Sequence, residues 1–113
     1  MKKRDKIPVF EGSGNVFADL GLPNAAELSL KAELTRQIIN RVKALDLNQS
    51  QAAKRLGLSQ PDLSRLLRGR HTGFSGDRLL GLLNLLEVDV EIVLRPQQHT
   101  RSAKGSIKVR EAA

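Results

Sequence analysis

Three polar side chains within six residues have the chemistry needed to read the edges of DNA bases. Gln60 carries an amide that can pair bidentately with adenine, and Arg65 carries a guanidinium that fits O6 and N7 of guanine. Asp62 could accept a hydrogen bond from cytosine, cap its own helix or orient Arg65. On one helix these side chains share a face, so the spacing predicts a base-reading group of Gln60, Pro61, Asp62 and Arg65. The alternative is an ordinary solvated helix face.

A second group of side chains suits the phosphate backbone of DNA. Hydroxyl, amide and guanidinium groups near the ends of short helices can bind phosphate oxygens, together with the N–H groups of the helix termini. The residues predicted to do so are Gln49, Ser59, Ser64, Arg68 and Arg70.

The formal net charge of +7 is concentrated near these residues and at the two ends of the chain. Residues 1–10 carry four basic side chains and one acidic, residues 95–113 carry five and one, and residues 11–94 carry ten of each. Within that neutral body, residues 47–78 carry six basic and two acidic side chains. A polyanionic partner such as DNA fits this distribution, although basic ends also keep small proteins soluble.

The sequence contains no group of residues that suits catalysis as the groups above suit DNA binding. The absence of cysteine excludes disulfides, thiolate nucleophiles and cysteine-ligated metals, and it suits a reducing cytoplasm. His71 and His99 stand without a carboxylate pair at metal-ligand spacing, and no glycine-rich stretch has a P-loop lysine. No apolar run approaches the length of a membrane span or a signal peptide core. We therefore expect a cytoplasmic protein that is not an enzyme and has no metal and no cofactor.

Two short helices within residues 49–68, QSQAAKRLGLSQPDLSRLLR, would position the base-reading group. Gly57 separates them and supplies a backbone conformation that other residues adopt at a cost, while the small Ala53 lets the helices approach closely. Ser59 can cap the second helix, and Pro61 fits its first turn because no N–H is needed there. The apolar positions predicted to hold the pair together are Ala52, Ala53, Leu56, Leu58, Leu63 and Leu66. The pattern indicates a helix-turn-helix.

The flanking residues predict three further helices and a strand. A short helical turn over FADLG begins at Phe17, and Asn24 with Glu27 indicates the capped start of a long helix. Ser75 can cap a final leucine-rich helix, with Phe74 before it turned toward the core. The expected fold is mainly α, with five helices and a C-terminal β-strand. The expected divisions are an arm over residues 1–22, the helix-turn-helix domain over 23–95, and a basic flexible tail over 96–113.

The predicted strand carries an expectation about assembly. Apolar side chains alternate with acidic ones along it, as in a half-buried strand, at Val88, Val90, Ile92 and Leu94. A lone strand leaves backbone groups unpaired, and the same strand from a second copy, antiparallel about a two-fold axis, would pair them. This predicts a homodimer. The alternative partners are KIPVF at residues 6–10, SIKVR at residues 106–110, and an edge strand of another protein.

The 20-residue pattern resembles the Cro and phage-repressor (Xre) class of DNA-binding domains. The positions that carry the likeness are Gln49, Ala53, Gly57, Leu63 and Leu66. Residues 14–94 are also similar to the HigA-like antitoxins of type II toxin-antitoxin pairs, on NVFADLG, RGR with the following GFS, and VDVEIVL. That resemblance implies a Cro/repressor-like fold and a repressor that binds double-stranded operator DNA, controls its own operon and neutralises a RelE/HigB-like toxin.

Two surfaces are candidates for the implied toxin. One is the N-terminal arm through Phe17 and Leu20, and the other is the acidic edge of Glu87, Asp89 and Glu91, which suits a basic partner. Two other functions stay open at this point. One is a stand-alone Xre-type transcriptional regulator without a toxin, and the other is a protein inhibitor whose helix-turn-helix is only a scaffold.

Overall fold

Four helices form the described part of the chain, which in this computed structural model comprises residues 22–96 and 107–112. The helices are α1 (Asn24–Ala44), α2 (Gln49–Leu56), α3 (Gln60–Leu67) and α4 (Gly76–Leu85). The mainly helical class predicted from the sequence is confirmed. The predicted fifth helix, over FADLG, lies outside the described residues. None of the described helices is both long and apolar enough to cross a membrane.

The longest helix, α1, begins differently from the sequence prediction. Asn24 is its first helical residue, and Pro23 precedes it in an extended conformation that makes no side-chain cap. The carbonyl of Pro23 accepts a hydrogen bond from the Glu27 N–H at 2.9 Å. The prediction that Asn24 caps this helix is therefore wrong, because the ring of Pro23 already fixes the backbone geometry that precedes a helix. The buried residues of α1 are Leu34, Thr35, Ile38 and Val42.

The start of α2 and the turn that follows it are set by local sequence. The Asn48 side chain accepts from the Gln51 N–H at 2.8 Å, and the Gln51 side chain accepts from the Asn48 N–H at 2.9 Å, which completes a capping box. Gly57 ends α2 at φ 67°, in the left-handed region that favours glycine. The turn glycine predicted from the sequence is confirmed.

Serine caps start the two remaining helices, as predicted. The Ser59 hydroxyl accepts from the Asp62 N–H at 3.2 Å, and Pro61 lies in the first turn of α3. The Ser75 hydroxyl accepts from the Arg78 N–H at 3.0 Å at the start of α4. Each serine satisfies a backbone donor that the first turn of a helix leaves unpaired.

One apolar cluster joins the four helices. Two leucines of α3 are fully buried in it, and Phe74 from the loop before α4 is only 2% exposed, so the inward turn predicted for Phe74 is confirmed. Its members are Leu34, Ile38, Val42, Ala52, Ala53, Leu56, Leu58, Leu63, Leu66, Phe74, Leu79, Leu82, Leu83 and Leu86. Isolated helices of this length are only marginally stable, so each of the two short helices is stabilised by packing one face against the core.

The predicted C-terminal strand is not formed within the described single chain. Residues 88–96 have no helix or strand; Val88 packs against the core, and Val90, Ile92 and Leu94 are exposed. A strand needs a neighbour for its backbone groups, and no described segment supplies one. Residues 107–112, which contain most of SIKVR, lie beside the first half of α1 instead. KIPVF lies outside the described residues, and the homodimer stays a prediction.

Candidate nucleic-acid interface

The outward face of α3 brings the predicted base-reading residues together. The helix is fixed on its other face by two fully buried leucines. Gln60 and Pro61 are exposed in its first turn, and Asp62 and Arg65 are half-buried next to them. Four side chains predicted from spacing alone therefore occupy the N-terminal half and centre of one short helix.

The guanidinium of Arg65 is held by three neighbours. Its Nη2 donates to the Asp62 carboxylate at 2.7 Å, and its Nη1 donates to the carbonyl oxygen of Thr72 at 3.2 Å. Its central carbon lies 5.9 Å from the centre of the Phe74 ring. Of the three roles predicted for Asp62, the structure shows that its carboxylate orients Arg65. Asp62 does not cap α3, because the cap is Ser59, whose hydroxyl accepts from the Asp62 N–H.

The charge on Asp62 is favoured by this arrangement. The hydrogen bond from Arg65 lowers the pKa of the Asp62 carboxyl below its ordinary value of 3.8, with smaller contributions from the Ser59 hydroxyl and the charge of Arg78. Partial burial opposes the shift without reversing it. At neutral pH the carboxylate is therefore ionised, and Arg65 keeps a charged partner on its own helix.

The predicted phosphate-binding residues lie along and beside α3 and at the start of α2. Ser59 begins the helix, and Gln49 is exposed at the start of α2. Beyond the other end, Arg68 donates to the Ser64 hydroxyl at 2.7 Å, and Arg70 is exposed. An eight-residue helix is about 12 Å long, so Ser59 and Arg68 at its two ends are too far apart to form one pocket.

A cluster at the end of α4 was not anticipated from the sequence. Arg55 of α2 donates to the carbonyl of Leu85 at 3.2 Å and to the Glu87 carboxylate at 2.6 Å. Arg41 of α1 donates to the carbonyl of Leu86 at 2.9 Å, and its Nη2 lies 3.8 Å from the other Glu87 oxygen. The partners are separated by more than 29 residues in sequence, so no local pattern could have indicated the cluster.

This cluster changes the interpretation of two charged groups. Arg55, counted above as part of the basic helix-turn-helix, has its charge balanced by Glu87 at the end of α4. Glu87, counted above as part of an acidic edge for a toxin, is engaged by Arg55 and Arg41 inside the chain. The acidic edge is therefore reduced to the exposed Asp89 and Glu91.

Comparisons with known proteins agree with this geometry. A family model described as a helix-turn-helix domain matches residues 16–95. A solved structure of a protein described as an XRE-family transcriptional regulator is 40% identical to the chain, with a TM-score of 0.74 over 80% of this chain and 100% of the other. This chain belongs to the XRE family. No curated protein matches this XRE-family chain.

The two short helices joined by a glycine turn correspond to the helix-turn-helix of the family. In this XRE-family domain, α2 and α3 are the helix-turn-helix, with Gly57 at the turn and α3 as the second helix. The Xre-type domain predicted from the sequence is thus confirmed. The HigA-like subtype, the toxin partner and the homodimer stay predictions.

Proposed function

We propose that this chain is a DNA-binding transcriptional regulator that reads double-stranded operator DNA through α3. The observation that carries the proposal is the group formed by Gln60, Asp62 and Arg65 on the outward face of α3, whose other face is fully buried. Polar side chains on the second helix of a helix-turn-helix are the ones that reach base edges when that helix lies in the major groove. The family and the solved relative support the same function.

In the proposed complex, Gln60 and Arg65 read bases and the flanking residues bind phosphates. Gln60, exposed in the first turn, offers both an amide donor and an acceptor to adenine. Arg65 offers its guanidinium to guanine, and Asp62 together with the Thr72 carbonyl restricts where that group can point. Restriction of the side chain before binding lowers the conformational entropy lost on contact, which favours one base over others.

The first test removes the Arg65 side chain. Operator sites are selected from random duplexes with the wild-type protein, and affinity is then measured for the selected site and for variants changed at each base pair. Arg65→Ala should lose about 1–3 kcal/mol on the selected site and show relaxed preference at one base pair, because one bidentate base contact is lost.

Arg36→Ala provides the matched control for Arg65→Ala. Arg36 is also paired with an acidic residue three positions earlier, but it lies on α1, outside the helix-turn-helix. Its removal should leave affinity and base preference unchanged. Equal affinity of wild type and Arg65→Ala for every duplex would contradict the base-reading role of Arg65.

We also propose that the regulator works as a homodimer joined through residues 88–94. Four apolar side chains of this segment, at Val90, Ile92, Val93 and Leu94, are exposed in the single chain, and Leu94 is 74% exposed. Pairing with the same segment of a second copy would satisfy the backbone groups and bring Val90, Ile92 and Leu94 beside their counterparts on one face. A dimer would also hold two copies of α3 at a fixed separation, as a two-fold symmetric operator requires.

The antitoxin role rests on the resemblance of residues 14–94 to HigA-like proteins, and a stand-alone regulator fits the same geometry. The two functions are distinguished by the gene next to this one. Co-expression with a neighbouring toxin-sized reading frame, followed by affinity purification, should recover a complex if the chain is an antitoxin. Failure to bind the product of any adjoining frame, with operator binding intact, would favour the stand-alone regulator.

A further inference from the structure

We infer that Arg78, in the first turn of α4, is a further DNA-contacting residue that binds a backbone phosphate next to the N-terminus of α3. This inference rests on the proposed function and adds a contact from a helix outside the helix-turn-helix. Arg78 is absent from the base-reading and phosphate-binding groups predicted from the sequence, because it follows α3 by a loop and belongs to a different helix.

The guanidinium of Arg78 lies over the ring of Phe74. The central guanidinium carbon of Arg78 lies 5.0 Å from the centre of the Phe74 ring, and the same ring has Arg65 at 5.9 Å. Phe74 is 2% exposed and cannot move without disturbing the core, whereas Arg78 is exposed. One rigid ring therefore holds two cationic groups at the surface of the proposed interface.

The Phe74 ring locates Arg78 relative to α3, because its other cationic neighbour is Arg65 of α3, which is bonded to Asp62. In agreement with this position, the charge of Arg78 helps to lower the pKa of the Asp62 carboxyl. Asp62 lies in the first turn of α3, next to the exposed Gln60 and Pro61. Arg78 is thus on the same side of the molecule as the end of α3 that would enter the groove.

Arg65 and Arg78 differ in what holds them, and the difference separates their roles. Arg65 donates hydrogen bonds to a carboxylate and a carbonyl, which fix its direction. The contact of Arg78 with the ring is a cation–π attraction, which leaves guanidinium N–H groups able to donate to an anion. A phosphate oxygen accepts such donors without selecting a base, so Arg78 should add affinity for any duplex.

The test measures affinity as a function of salt for wild type, Arg78→Ala and Arg78→Lys, with the selected operator and with a scrambled duplex of equal length. Loss of one phosphate contact should reduce the magnitude of the negative slope of log K against log salt by about 0.9 and weaken binding about 5-fold at 150 mM salt. Arg78→Ala should show both effects on both duplexes. Arg78→Lys should keep the slope because it keeps the charge.

Arg36→Ala removes an equal charge from α1 and should change neither slope nor affinity. The inference is overturned if wild type binds DNA and Arg78→Ala retains its slope and affinity. It is also overturned if Arg78→Ala alters preference at one base pair without a change of slope, since that result would make Arg78 a base reader. Absence of DNA binding by the wild type would overturn the proposed function itself.

Discussion

At the scale of single residues, the pairing of Arg65 with Asp62 decides how the proposed reading group behaves. A carboxylate near the DNA surface repels phosphates, so its presence costs affinity unless it serves another purpose. Here its purpose is to hold Arg65, through a 2.7 Å hydrogen bond between residues three positions apart on α3. The carboxylate of Asp62 therefore lowers the affinity for DNA in general, and in return it gives the guanidinium of Arg65 a defined direction.

The first prediction at this scale concerns pH. Because Arg65 depresses the pKa of Asp62 in the folded protein, the pair contributes stability above the ordinary carboxyl pKa and loses it as pH falls through the lower, folded value. The Asp62 carboxyl carbon, followed by NMR, should titrate below the ordinary value of 3.8 in the wild type. In Arg65→Ala the midpoint should rise toward that value.

Glu33 provides an internal reference for that titration. Its pKa is lowered by a hydrogen bond from Arg36, on a different helix from α3. Its midpoint should therefore be the same in wild type and Arg65→Ala. An unchanged Asp62 midpoint in Arg65→Ala would show that the pair does not persist in solution.

The separation of two side chains along the sequence decides whether their pairing could be predicted. Arg65 and Asp62 are three residues apart, and their pairing is one of the roles that the sequence predicts for Asp62. Arg55 and Glu87 are 32 residues apart, and their pairing depends on how α2 and α4 pack. Side-chain chemistry was thus predictable where helical periodicity alone sets the distance.

At the scale of elements, helix ends set by neighbouring residues were predicted well. The serine caps and Gly57 act on backbone groups within one helical turn, so their residue types are enough to predict their roles. The start of α1 was mispredicted because two adjacent residues, Pro23 and Asn24, both suit the position before a helix. The alternation of apolar and acidic side chains in residues 88–94 specifies which face of a strand would be buried. It supplies no second strand for the backbone to pair with, so the predicted C-terminal strand is not formed.

The prediction at this scale concerns the end of α4, where α1 and α2 are joined to it by Glu87. Glu87→Gln and Arg55→Gln should each destabilise the protein, and the double variant should lose less than the sum of the two. The side chains are 62% and 34% exposed, so the coupling should be only about 0.2–1 kcal/mol. Urea unfolding of the four proteins measures it.

Glu87→Gln should cost more than Arg55→Gln, because Glu87 also faces Arg41 at 3.8 Å. Strictly additive effects would mean that the carboxylate contributes nothing through Arg55. The backbone of Glu87 has φ 67°, so glutamine is chosen to keep the side-chain shape and leave the backbone preference close to that of the wild type.

At the scale of the whole molecule, the neutral body leaves DNA binding to local charge. Residues 11–94 carry equal numbers of acidic and basic side chains, and Arg55 is further balanced by Glu87. One copy of α3 with few cationic neighbours is a small interface for an operator, since single modules bury little surface and bind weakly. A second copy at fixed spacing would supply the rest, which is why the proposed dimer matters to function.

One antiparallel register of the proposed dimer satisfies both faces of residues 88–96. With Ile92 opposite its own copy, Val90 faces Leu94 and Asp89 faces Arg95. The apolar pairs then share one face, and on the other face two opposite-charge pairs flank the two pairs of Glu91 with Val93. A register centred on Glu91 would instead place two glutamates directly opposite each other, which is destabilising.

A charge exchange tests this register by sedimentation equilibrium. Asp89→Arg places two arginines opposite each other at both symmetric positions, and Arg95→Asp does the same with aspartates. Each pair is worth about 0.2–1 kcal/mol and both pairs reverse sign, so either single variant should weaken dimerisation by about 0.8–4 kcal/mol, which is at least about fourfold. The double exchange should restore it, because opposite charges face each other again. A monomeric wild type at high micromolar concentration would contradict the dimer, whereas a dimer insensitive to both single variants would contradict only this register.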